Sequence, residues 1–185
     1  MKTRKLTFAS LCLSTALLLP QLFHLLGLQQ AGQIFLPMHI PVLLSGLLLG
    51  WHYGALLGFM TPLLSFLLTG MPSADRVLFM MAELGAYGFT AGICYQRLSR
   101  KHTIVHAYLS LVSAMTAGRI CYGLAITIAA LLSDIPFGGF PLVWTAVITG
   151  IPGIITQLLF LPALVRIIEK GGYIRDAFAV EINSK

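Results

Sequence analysis

Glu83, Arg119 and Gln157 each interrupt a long apolar stretch of the chain. Lipid satisfies neither a charge nor an amide, so each side chain has to face the inside of a helix bundle or a wet cavity. Two readings fit the acid and the base. They form a structural ion pair, or they line a pocket for a polar ligand. The two overlap, since a pair can hold an empty pocket and open for a solute. Tyr87 follows Glu83 by four residues and so shares its helical face, and Tyr122 follows Arg119 by three. Aromatic side chains beside a buried charge suit a planar or amphipathic ligand. Trp144 either joins that lining or anchors its helix at the membrane interface.

The assigned chemistry is recognition. Arg119 would meet a ligand carboxylate or acceptor oxygen through its planar fork of donors. Glu83 would accept from ligand N–H or O–H groups, or hold Arg119 in place. Tyr87 and Tyr122 would stack or hydrogen-bond. His39, in Pro37-Met38-His39-Ile40-Pro41, is either ligand-facing or a loop and capping residue. Pro37 suits a first helical turn and Pro41 loosens the turn that follows. Met38 and His39 are adjacent, hence point apart on a helix, and no HxxxH accompanies them, so no metal site is expected. GxSxG and HExxH are missing, and no nucleophile–base pairing is visible, so the chain does not read as an enzyme. No P-loop lysine follows any glycine run, and no cofactor is implied.

Elements able to hold such groups follow from composition. The chain of 185 residues is 57% hydrophobic and 10% charged, with mean hydropathy +0.88, where soluble domains carry about 25% charged residues. That excludes a water-soluble globule and a separate soluble catalytic domain. The net charge of +6 flanks apolar spans as topology signals do, which argues against nucleic acid as a partner. Cys12, Cys94 and Cys121 lie inside apolar segments without CxxC spacing and read as small packing residues. The basic head and apolar core at the N-terminus resemble a signal peptide. The apolar run continues to Leu28, though, and Gln29 spoils the small-residue site near Ala31, so the segment reads as a first transmembrane helix.

Six apolar segments cover about 6–28, 35–50, 52–69, 77–96, 104–132 and 142–168. The second and third are short for a span of about 20 residues, and one broken helix or a re-entrant loop is the alternative. Charge parity decides. Lys2, Arg4 and Lys5, then Arg97, Arg100 and Lys101, then Arg166, Lys170 and Arg175 all belong on the cytoplasmic side. Even numbers of crossings between these clusters require a hairpin, with its turn at Trp51–Tyr53, and put Asp75 and Asp134 outside. The expected fold is an all-α membrane protein, a compact bundle of about six transmembrane helices with N- and C-termini cytoplasmic. Residues 1–170 form one domain and 171–185 a short cytoplasmic tail. Gly46, Gly50, Gly54 and Gly58 recur every fourth residue and predict close helix packing, although the turn keeps them off a single face. Pro152, between Gly150 and Gly153, predicts a kink in the last helix. Ser10 and Ser14, with Cys12 and Ala16 as an offset pair, form small-residue stripes for a partner helix, internal or foreign.

These features together resemble a substrate-binding S component of an energy-coupling factor (ECF) transporter, over about residues 6–170. The likeness rests on size, span number and the block PMHIPVLLSG…TPLLSFLLTGMP…MAELGAYGFTAG. The resemblance implies a bacterial plasma-membrane, multi-pass subunit that captures a small organic vitamin or precursor near the outer face. Pantothenate, hydroxymethylpyrimidine, a niacin-like molecule and a porphyrin all stay open. It implies loops one and three closing over the ligand with helices four to six, which here brings in His39, Gly70–Pro72, Glu83, Tyr87, Arg119 and Gln157. It implies as partners a transmembrane coupling protein and two cytoplasmic ATPases. Ser10 and Ser14 stand where the family has an AxxxA contact for the coupling protein. Cobalt and nickel S components begin with Met-His-Ile and use the free amine. Met38-His39-Ile40 is internal, so that chemistry is missing here. The rival readings are a non-transporting membrane scaffold and a solitary secondary transporter or channel.

Overall fold

Up to Ser133, helices that follow one another along the chain run antiparallel, and contacts between named residues fix their order. A computed structural model describes residues 2–28, 32, 34–98, 104–133 and 139–171. Its helices are α1 (Lys2–Leu25), α2 (His39–Leu49), α3 (Trp51–Thr69), α4 (Ala74–Leu98), α5 (Ile104–Ser133), α6 (Gly139–Thr149) and α7 (Ile151–Lys170). Five are long and apolar enough to cross a membrane, while α2 and α6, with 11 residues each, are not. All the elements described are helical, and the molecule is an all-α membrane bundle. Arg100, Lys101, Asp134, Arg175, residues 29–31, where the sequence argues against a signal-peptide cleavage site, and the tail 172–185 lie outside the described residues.

Two expectations need correcting. The turn between the second and third segments falls on Gly50 alone, and Trp51–Tyr53 already belong to α3. Gly50 has φ +94° and ψ 174°, a conformation open to glycine and strained for any residue with a Cβ. The chain truly doubles back there, because a methyl on Gly54 would touch the Gly46 Cα, eight residues upstream. The sixth segment is two helices parted at Gly150, where Pro152 supplies no N–H to the preceding turn.

The glycine stripe, although split between α2 and α3, converges on a single neighbour. A methyl on Gly46 or Gly54 would strike the Gly88 carbonyl, and one on Gly58 the Leu84 carbonyl. On α4, Gly88 faces Gly54, and Gly92 faces the start of α3 at Trp51. Small residues on both sides let backbones approach closely where lipid offers no hydrophobic drive. The register makes α3 antiparallel and α2 parallel to α4.

Along α5 the partners of α4 run in reverse, with Gly118 against Tyr87 and Tyr122 against Phe79. At the far end of α7, Glu169 accepts from Tyr95 Oη at 2.8 Å, so α7 lies parallel to α4. Phe23 near the end of α1 stacks on Phe35, just before α2, which makes α1 and α2 antiparallel. Arg4, Lys5, Arg97, Arg166 and Lys170 therefore gather at one end of the bundle. The opposite end holds Asp75 and Arg76, 4.0 Å apart. Asp75 and Arg97 on α4 are about 33 Å apart at 1.5 Å per residue, close to the roughly 30 Å of bilayer hydrocarbon.

Outward faces carry leucines and isoleucines such as Leu18, Leu56, Leu67, Ile128 and Leu159. Exposed hydroxyls on those faces return to the backbone: Ser10 donates to Leu6 O, Ser113 to Leu109 O and Thr127 to Gly123 O. That arrangement satisfies them without water.

Candidate functional site

Glu83 and Arg119 meet between α4 and α5. Arg119 Nη1 lies 2.9 Å from Glu83 Oε1, and Tyr87 Oη donates to the same oxygen at 3.0 Å. The spacing explains the second contact, since residues four apart on a helix are stacked on one face. Gly118 makes room for it, because a methyl there would run into the Tyr87 ring. The ion pair is nearly closed to the surface, with side-chain exposures of 14% for Arg119 and 6% for Glu83. A buried pair gains from Coulomb attraction only when its remaining polar atoms also find partners.

Several of those atoms do not. Arg119 Nε and Nη2 are buried without a hydrogen-bond partner among the described residues, as are both ring nitrogens of His39. His39 is itself buried at 3% exposure and sets its ring edge-on to Tyr87, with centroids 5.1 Å apart. Four groups from α2, α4 and α5 thus form one cluster, about 12 Å along α4 from Asp75.

Gln157 approaches from α7. Its Nε2 donates to Leu36 O at 3.4 Å, and His39 N donates to the same carbonyl at 3.0 Å. The segment 34–36 thereby lies across the start of α7. Gly153 admits it, since a methyl at that position would crowd Ile34 O and Phe35. At Gly150 a methyl would come within 3.1 Å of both Arg119 Nη2 and Leu36 Cδ1. Leu36 has φ +49°, in the left-handed region that a branched side chain rarely adopts.

The remaining residues named from sequence are placed differently. Tyr122 is half-buried on the α4–α5 seam and meets Phe79 edge-on at 6.5 Å. Trp144 is 58% exposed, as an anchor would be. On α1, Cys12 and Ala16 are buried against the bundle, while Ser10 and Ser14 face outward. Among the described residues no group of His, Cys, Asp and Glu could hold a metal ion. A small cavity of about 10 Å³, beside Tyr95, Arg166 and Glu169, belongs to the basic end rather than to the cluster.

Sequence reasoning missed the Leu36 carbonyl, Gly118 and Gly150. Gly118 gave no signal of its own, because what it makes room for is the Tyr87 ring of another helix. The carbonyl of Leu36 had no signal, since its position depends on a fold between residues 121 apart.

A membrane bundle that encloses an acid–base pair, with donors to spare, is a multi-pass membrane protein built around a buried polar site. The family model of the ECF transporter substrate-specific component matches residues 4–165. That match covers most of the chain, and the chain belongs to this family of transporter subunits. No curated protein and no solved structure gives a significant match.

Proposed function

We propose that the protein is the capture subunit of an ATP-driven ECF importer in a bacterial plasma membrane, taking up a small organic vitamin or precursor. Residues 1–170 make the capture domain and 171–185 a cytoplasmic tail. The basic end faces the cytoplasm, as the positive-inside rule requires, and the Asp75 end faces outward. The ligand enters from there and is held by His39, Glu83, Tyr87, Arg119 and Gln157, with Tyr122 on the rim. Ser10 and Ser14, exposed on α1, contact the coupling protein, which carries two ATPases. Uptake is driven by that module.

The observation that supports this most is the set of buried nitrogens on Arg119 and His39 that have no partner among the described residues, beside the Glu83 ion pair. Buried donors without acceptors are costly to keep, and a bound solute accounts for them. Mass spectrometry of gently purified protein tests the reading through the small molecule retained. Titration of that molecule follows on wild type, Arg119→Ala and Glu83→Ala. Affinity indifferent to both substitutions removes the site assignment. Co-purification with a coupling protein and two ATPases separates an importer subunit from a scaffold or a solitary transporter.

A further inference from the structure

Resting on the capture reading, the orphaned atoms restrict the ligand's chemistry. Nη1 of Arg119 is engaged by Glu83, while Nε and Nη2 are buried without partners among the described residues. The guanidinium is planar, so the Nε–H and one Nη2–H lie side by side and make a fork for two adjacent acceptors. His39 adds two unpartnered nitrogens, which in a neutral ring are one donor and one acceptor. Donors outnumber acceptors on this surface, so the ligand must be rich in acceptors and carry at least one N–H or O–H.

Charge narrows the class further. Arg119 is already compensated by Glu83 at 2.9 Å. At the rim, Asp75 and Arg76 likewise oppose each other. The charges described at this end therefore sum to zero. A ligand carboxylate on the fork would be a second anion around one cation, leaving a net negative charge buried in the membrane. An uncharged acceptor edge fills the same fork without that cost.

We infer that the ligand is uncharged at neutral pH and presents two adjacent acceptors to the Arg119 Nε/Nη2 edge and a donor to His39, as a small oxo-substituted nitrogen heterocycle or an amide does.

Matched pairs differing in one carboxylate test it on the full-length protein in detergent. The pairs are nicotinamide and nicotinate, pantothenol and pantothenate, uracil and orotate, read by thermal shift and titration, alongside native mass spectrometry of any retained molecule. The expected result is stabilisation by an uncharged member without its acidic twin, or a retained molecule that is uncharged. Arg119→Lys keeps the charge opposite Glu83 but loses the fork, and should weaken that ligand at least about tenfold. Should the lysine variant fail to fold, His39→Phe, which removes the ring nitrogens, should weaken it similarly. Preference for a carboxylate member, or a retained carboxylate or phosphate, overturns the inference and leaves capture standing. Binding by no pair together with no retained molecule overturns both.

Discussion

Helix α4 presents two contrasting sides. Toward α2 and α3 it offers Leu84, Gly88 and Gly92, where backbones meet with no room for a methyl group. Toward α5 and the start of α2 it offers Glu83 and Tyr87, where an ion pair and a hydrogen bond leave two nitrogens of Arg119 and both of His39 without partners among the described residues. One seam is closely packed, made largely from the smallest side chain. The other is polar and unfinished. The difference teaches that this helix is held in place by one side so that the other can be left incomplete. In a membrane, where association relies on close packing rather than on hydrophobic drive, the glycine seam can carry the stability that the polar seam does not supply.

Breaking the complete side should have the largest effect. Gly88→Leu forces a side chain into the Gly54 backbone. Its cost should reach or exceed the ~3 kcal/mol upper range of over-packing, and the measure is loss of a monodisperse peak after detergent extraction. On the polar side, Glu83→Ala leaves Arg119 buried and unpaired. It should cost about 3–5 kcal/mol, read as a lowered melting temperature, and the double variant Glu83→Ala/Arg119→Leu should regain part of that loss. Unchanged melting in the single variant would show that the pair is not enclosed. Tyr87→Phe removes one hydrogen bond to a charged acceptor and should cost about 1.5–3 kcal/mol while leaving the ion pair formed. Ser10→Leu with Ser14→Leu alters an exposed face. Stability should change by less than about 0.5 kcal/mol, whereas co-purification of the coupling protein should fall.

Much of the polar seam was legible in the sequence, because a charge in an apolar run has few acceptable places. Tyr87 followed from its four-residue spacing to Glu83. The hairpin followed from the parity of basic clusters, which is a global constraint. Its turn did not, since a reversal on Gly50 alone is a matter of one φ angle, and Trp51–Tyr53 looked no less suitable. The convergence of Gly46, Gly54 and Gly58 on α4 also escaped linear reading, because a stripe divided by a turn has no single face until the turn is made. Tyr95 and Glu169, 74 residues apart, shared no pattern that could pair them. What stays hidden is what needs three-dimensional closure, the Leu36 carbonyl between His39 and Gln157.

The shortness of α2 has a consequence for hydration. Its first residue, His39, touches Tyr87, which puts that level about 18 Å along α4 from Asp75. The peptide units just before it are therefore irregular backbone at a depth where hydrocarbon would strand them dry. They are tolerated because Gln157 and the N-terminal turn of α7 cover them. Any movement that lifts residues 34–36 off α7 must bring water or solute in behind it, so wetting and opening at this end of the bundle are a single event.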